Sequence, residues 1–131
     1  MLYLDSSALL KLVRVETQTA DLRAWLADRP DALLVSSALA RVEVLRACRR
    51  IEEKLLDTGR AVVAALHLVP LDDHVLGVAA ALPGSDLRSL DALHLAAALQ
   101  LGADLDAFIA YDARLAEAAR AHGLAVVQPG T

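Results

Sequence analysis

The sequence predicts an α/β fold, a three-layer α/β/α sandwich around a mainly parallel central sheet. Short apolar runs alternate with segments of helical periodicity through short connections, the pattern of a sheet covered by helices on both faces. The composition is 56% hydrophobic but only 3% aromatic, with Ala, Leu and Val dominant, which suits helices packed closely on a small sheet. At 131 residues, the chain is expected to form one domain, residues 1–131, with a core that needs no disulfide or metal staple.

Leu2 to Leu4 is an apolar run ending at Asp5, and Ser6 or Ser7 is expected to cap a helix carrying Leu9, Leu10, Leu12 and Val13. A second helix is expected from Thr19 to Arg29, with Leu22, Trp25 and Leu26 on its apolar face and Pro30 at its end. Leu33 to Val35 reads as a strand, followed by a helix from Leu39 to Arg50 capped by Ser36 or Ser37. A helical stretch from Glu52 to Ala65 would complete a hairpin, with Gly59 as a weak point. Leu66 to Val69 is the next strand, and Asp72 caps a helix reaching Leu82 before the Pro83–Gly84 turn. Ser89 is expected to cap a helix from Leu90 to Leu101, terminated by Gly102. Phe108 to Tyr111 reads as a strand, Ala113 to His122 as a helix ending at Gly123, and Ala125 to Val127 as the last strand.

Several function classes are disfavoured at once. A single cysteine, Cys48, rules out an intrachain disulfide and a cysteine zinc site, suits a reducing cytoplasm and reads as buried filler. No apolar run approaches the roughly 18 residues of a membrane span, so no membrane association is expected. The net charge is -4, and arginine supplies all of the 13 basic residues except Lys11 and Lys54. Such a surface repels nucleic acid as a whole, so a phosphate-bearing substrate would need local cations.

Four carboxylates stand out: Asp5, Glu43, Asp91 and Asp112. Ligands of open parallel sheets bind beyond the carboxyl ends of the strands, where Asp5 and Asp112 follow predicted strands. Asp91 and Glu43 lie near the starts of helices, where the backbone dipole tolerates negative charge. Taken singly, the bland reading is equally good, with Asp91 and Asp112 as helix caps and Glu43 on the surface. Together they present a charge problem, because ionised carboxylates about 5 Å apart would cost roughly 3 kcal/mol per pair at an effective dielectric near 20. A divalent cation is the simplest remedy.

Asp5 in Tyr-Leu-Asp-Ser-Ser-Ala-Leu, Glu43 in Ala-Arg-Val-Glu-Val-Leu-Arg, Asp91 in Leu-Asp-Ala-Leu-His-Leu-Ala-Ala-Ala and Asp112 in Tyr-Asp-Ala-Arg-Leu-Ala-Glu-Ala-Ala resemble the PIN-domain nucleases almost end to end. The length and the lack of an appended domain are similar to the VapC toxins of bacterial toxin–antitoxin pairs. The resemblance implies an endoribonuclease dependent on Mg²⁺ or Mn²⁺, with Asp5, Glu43, Asp91 and Asp112 as catalytic metal ligands. It implies products bearing 5′ phosphate and 3′ hydroxyl, and in-line attack of metal-activated water on phosphorus is the chemistry expected of such a site. It also implies a VapB-like antitoxin covering the active-site groove, and a homodimer. Hard oxygen ligands agree with such an ion. Many family members carry Thr where this chain has Ala110, so a hydroxyl that would help orient Asp112 is missing.

For the RNA substrate, Arg46 and Arg50 follow Glu43 by three and seven residues and share roughly its helical face. The competing reading pairs Arg46 with Glu43, and Arg49 and Arg50 with Glu52 or Glu53. Lys11, Arg14 and Arg88 are further cations near the acidic residues. Ser7 is expected to assist by hydrogen bonding near Asp5, although capping explains it equally well. His94 reads as a buried, hydrogen-bonded histidine rather than a catalytic base. With Trp25 and Phe108 expected in the core, no aromatic platform remains for stacking bases. A phosphoacceptor receiver domain would need a late lysine, and a haloacid-dehalogenase phosphatase a second aspartate at the position of Ser7; neither is present. A catalytically weak PIN-fold module that acts through antitoxin or protein binding is the remaining alternative.

Overall fold

A computed structural model describes residues 1–131. Its five strands are β1 (Leu2–Leu4), β2 (Leu34–Ser37), β3 (His67–Val69), β4 (Ala107–Ile109) and β5 (Val126–Val127). They line up as β3-β2-β1-β4-β5, and every pairing is parallel. The helices are α1 (Ser6–Val13), α2 (Thr19–Ala27), α3 (Leu39–Ile51), α4 (Leu56–Ala64), α5 (Asp73–Ala81), α6 (Ser89–Leu99) and α7 (Ala113–Ala121).

Strand alternation sorts the core into two layers. Leu2, Leu4, Ala107 and Ile109 face α1, α3 and α4 through Leu9, Val44, Cys48 and Val63. Tyr3, Val35, Phe108 and Ala110 face α6 and α7 through Leu95, Ala98, Leu115 and Ala119. Helix α5 packs on the outside of α6 through Val75, Ala79, Ala92 and Ala96. Each fully buried leucine contributes about 1.5–3 kcal/mol, and the alanines let the helices lie close to the sheet. The expected three-layer sandwich is present, and its sheet is parallel throughout.

Several boundaries differ from the sequence reading for local reasons. Asp5, not Ser6 or Ser7, caps α1, its carboxylate accepting the Ala8 N–H at 3.0 Å. Strand β2 runs on through Ser36 and Ser37, both fully buried, while Leu33 stays 48% exposed. The Ser37 hydroxyl still accepts the Leu39 N–H at 2.9 Å, so it serves strand and helix start together. Extended backbone at Glu52 ends α3, and a 3₁₀ turn at Glu53–Leu55 precedes α4, which breaks the expected continuous helix. Strand β4 stops at Ile109, and Arg88 rather than Ser89 holds the capping position of α6 without a side-chain bond. Helix α6 ends at Leu99, and Gly102 takes its left-handed φ of 53° in a following 3₁₀ turn. Trp25 is only half-buried, with the Arg29 guanidinium stacked 3.7 Å above its ring, whereas Phe108 is fully buried as expected. No helix is long and apolar enough to cross a membrane.

Candidate functional site

The strand order reverses at β1 and β4, because β2 and β3 extend the sheet on one side of β1 and β4 and β5 on the other. Such a switch point opens a crevice at the carboxyl ends of the two central strands. Asp5 follows β1 directly, and its backbone N–H bonds the Ile109 carbonyl of β4 across the switch point at 3.1 Å. Asp112 follows β4 and caps α7, accepting the Leu115 N–H at 3.0 Å. Asp91 lies in the first turn of α6. Glu43 is the fifth residue of α3, which leaves the carboxyl end of β2.

Asp5 is 3% exposed, and one of its oxygens, Oδ1, takes both the Ser7 hydroxyl at 2.6 Å and the Ala8 N–H. Ser7 in turn accepts the Tyr111 N–H at 3.0 Å, so it joins the ends of β1 and β4. Gln128 donates to the Ala110 carbonyl at 2.8 Å. The end of β4 is thus held by Ser7 and Gln128, and Asp112 by its own cap, without a hydroxyl at position 110. His94, 1% exposed, bonds Tyr3 Oη through Nδ1 at 2.7 Å and Glu43 Oε1 through Nε2 at 2.5 Å. It is the buried, bonded histidine expected from sequence, and its partner is one of the acidic four.

The electrostatics tie the four together. Burial pushes the Asp5 carboxyl up to about 6 against the lowering hydrogen bonds from Ser7 and Ala8, with the His94 and Glu43 charges opposing each other more weakly. Asp91 is also raised, by burial first and by the charge of Asp112 next, with His94 and Arg88 lowering it and Glu43 raising it slightly. Asp91 therefore senses Asp112 and Glu43, and Asp5 senses Glu43. No three His, Cys, Asp or Glu side chains are drawn together as the ligands of one ion would be. The donor set still fits a hard divalent cation by its chemistry: all the donors are oxygens, their charges repel, and Asp5 Oδ2, Asp112 Oδ2, Glu43 Oε2 and both Asp91 oxygens make no protein hydrogen bond.

The candidate cations differ in their partners. Arg88 is the one whose charge Asp91 feels. Arg46 and Arg50 are exposed on α3 and make no ion pair, whereas Arg49 pairs with Glu53 at 3.3 Å and Lys54 with Glu52 at 3.1 Å. Glu43 pairs with His94, not with Arg46. Arg14 faces Glu16 at 3.8 Å, and Lys11, 9% exposed, lies 4.6 Å over the Tyr111 ring. Sequence reasoning gave Tyr3 no role beyond its strand. The available signal was a phenol in an otherwise apolar strand and a histidine in an apolar helix, since buried polar groups need partners.

Comparison with known proteins agrees with this fold. The PIN domain family matches residues 2–126. Ribonuclease VapC35 of Mycobacterium tuberculosis is 46% identical over 99% of this chain and 98% of its own length. Ribonuclease VapC46 of the same species is 44% identical over 98% of this chain and 97% of its own. In fold, the chain resembles FitAcB from Neisseria gonorrhoeae with a TM-score of 0.73 at 19% identity, covering 98% of each chain. VapBC2 from Rickettsia felis, bound to a DNA fragment from its promoter, gives a TM-score of 0.64 at 11% identity, over 98% of this chain and 99% of that one. A family match over nearly the whole chain and full-length relatives of this similarity place the protein in the PIN-domain family, among its VapC-type members.

Proposed function

We propose that this protein is an endoribonuclease dependent on Mg²⁺ or Mn²⁺ and the toxin of a VapBC-type toxin–antitoxin pair. The observation that carries the reading is the placement of Asp5 and Asp112 on either side of the switch point, with Asp5 buried and Asp91 and Glu43 within reach of their charges. Full-length relatives named as ribonucleases support the substrate class. Structures named for toxin–antitoxin assemblies support a VapB-like antitoxin as partner. A homodimer and action in the cytoplasm belong to the same reading.

Asp5, Glu43, Asp91 and Asp112 are the residues that would hold the cation. When bound, such an ion polarises a phosphodiester oxygen and makes a water a competent nucleophile near neutral pH. The residues of this chain do the rest. Ser7 holds Asp5 in one orientation, the α7 backbone fixes Asp112, and Arg46 and Arg50 are the first candidates to receive the scissile phosphate or a neighbour, with Arg88 a further one. Water adds to phosphorus as the P–O3′ bond breaks, leaving 5′ phosphate and 3′ hydroxyl ends.

Expression without antitoxin is expected to arrest growth, and Asp5→Asn or Asp91→Asn to relieve the arrest. Purified protein should cut total RNA with Mg²⁺ or Mn²⁺ and stop when a chelator is added. Equal toxicity of both variants, or cleavage indifferent to the chelator, would remove the acidic edge from the chemistry.

A further inference from the structure

We infer that Tyr3 and His94 form a positioning relay which fixes the Glu43 carboxylate, and that the relay sets how tightly the acidic edge holds a divalent cation. This deepens the ribonuclease reading and rests on it. The relay crosses all three layers of the fold: Tyr3 from the central strand β1, His94 from α6 on one face, and Glu43 from α3 on the other.

With the imidazole neutral, the hydrogen bonds have one consistent direction. An ionised Glu43 can only accept, so the proton sits on His94 Nε2. Nδ1 is then left as an acceptor, and the Tyr3 hydroxyl donates to it. The Tyr3 oxygen keeps a free acceptor side. The anchor is rigid. Tyr3 is 0% exposed, stacked on Phe108 with 5.3 Å between centroids, and meets the His94 ring edge-on at 5.9 Å.

A buried histidine that only needed satisfying would have one partner in Tyr3 and another in any nearby backbone carbonyl. Here the second partner is a carboxylate of the acidic edge, on a different helix. A glutamate has three side-chain torsions to arrest, and binding His94 through Oε1 leaves Oε2 free toward a cation. Partners that orient a ligand in this way commonly alter metal affinity by 10–100-fold when removed.

The test is calorimetric titration of the full chain with Mn²⁺, comparing wild type, Tyr3→Phe, His94→Leu, His94→Gln and Asp5→Asn, with melting curves to establish that each is folded. His94→Leu is expected to weaken Mn²⁺ binding by about 10–100-fold. His94→Gln, whose amide donates from nearly the place of Nε2, should recover most of that loss. Tyr3→Phe should lose several-fold alone and nothing further when added to His94→Leu. Nitrogen NMR of the metal-free wild type should show His94 protonated on Nε2 and bare on Nδ1. Folded relay variants that bind Mn²⁺ like wild type, while Asp5→Asn does not, would overturn the relay alone, as would the opposite tautomer. Wild type that binds no Mn²⁺, or Asp5→Asn that binds it equally well, would overturn the ribonuclease reading and the relay with it.

Discussion

Burial sets Asp5 against its own charge. The carboxyl is 3% exposed, and loss of water raises it to about 6 despite the hydrogen bonds from Ser7 and Ala8. An acid raised on folding binds its proton more tightly in the native state than in the unfolded chain. The stability it contributes is therefore present below its unfolded value of 3.8 and is lost as pH rises through about 6. Above that window the ionised group costs about 3 kcal/mol, by the size of the shift. Asp5→Asn keeps the cap on Ala8 and removes the charge. With chelator present at about pH 8, the variant is expected to resist urea better than wild type by roughly 1–3 kcal/mol, with the advantage shrinking toward about pH 4. With saturating Mn²⁺ the order should reverse, because a ligand that binds only the folded state stabilises wild type. Lower stability of the variant at about pH 8 without metal would mean that Asp5 is not strained by its charge. Asp5 was legible from sequence because it ends an apolar strand run, where ligands of parallel sheets bind. The Tyr3–His94–Glu43 contact was not, because no spacing rule links residues 3, 43 and 94.

Among the elements, the α3–α4 hairpin bears most directly on the site, since α3 carries Glu43, Arg46 and Arg50. The sequence indicated the hairpin but misread its glycine. Gly59 looks like a helix breaker by propensity, yet it is buried where α4 meets α3, and a Cβ there would lie 2.8 Å from Cys48 Sγ and 3.5 Å from Leu45 Cδ2. Propensity alone predicts that Gly59→Ala stabilises by about 0.5–1 kcal/mol. Contact with a fully buried sulfur costs more, roughly 1–3 kcal/mol, so the net effect is expected to be destabilising. Cys48→Ala removes the sulfur, and in that background Gly59→Ala should turn neutral or stabilising. A four-protein urea-denaturation cycle measures the coupling directly. If Gly59→Ala stabilises the otherwise unaltered chain, the helices are not in close contact there. Errors in the other elements have the same origin. Ser36 and Ser37 read as caps because their hydroxyls suit helix starts, and only pairing with β3 shows that they belong to a strand.

For the molecule as a whole, the parallel sandwich was legible because strand and helix periods alternate, but the side of β1 on which β4 inserts is a choice among long-range pairings. That choice creates the switch point and sets Asp5 and Asp112 at the carboxyl ends of its two strands. It also creates an electrostatic difficulty, because a protein of net charge -4 concentrates carboxylates where a phosphodiester must bind. Cations would have to offset the repulsion, and the exposed arginines of α3 without ion pairs, Arg46 and Arg50, are the candidates to test. An Asp5→Asn protein, expected not to cleave, allows the test by RNA-binding anisotropy over a range of KCl. Each phosphate released from contact lowers the slope of log affinity against log salt by about 0.7 for a single strand. Arg46→Ala with Arg50→Ala should thus weaken binding most at low salt and flatten the slope by roughly 1–1.5. An unchanged slope would show that α3 does not touch the backbone. A loss confined to Arg88→Ala would instead put the phosphate at the start of α6, beside the Asp91 carboxyl whose charge Arg88 already offsets.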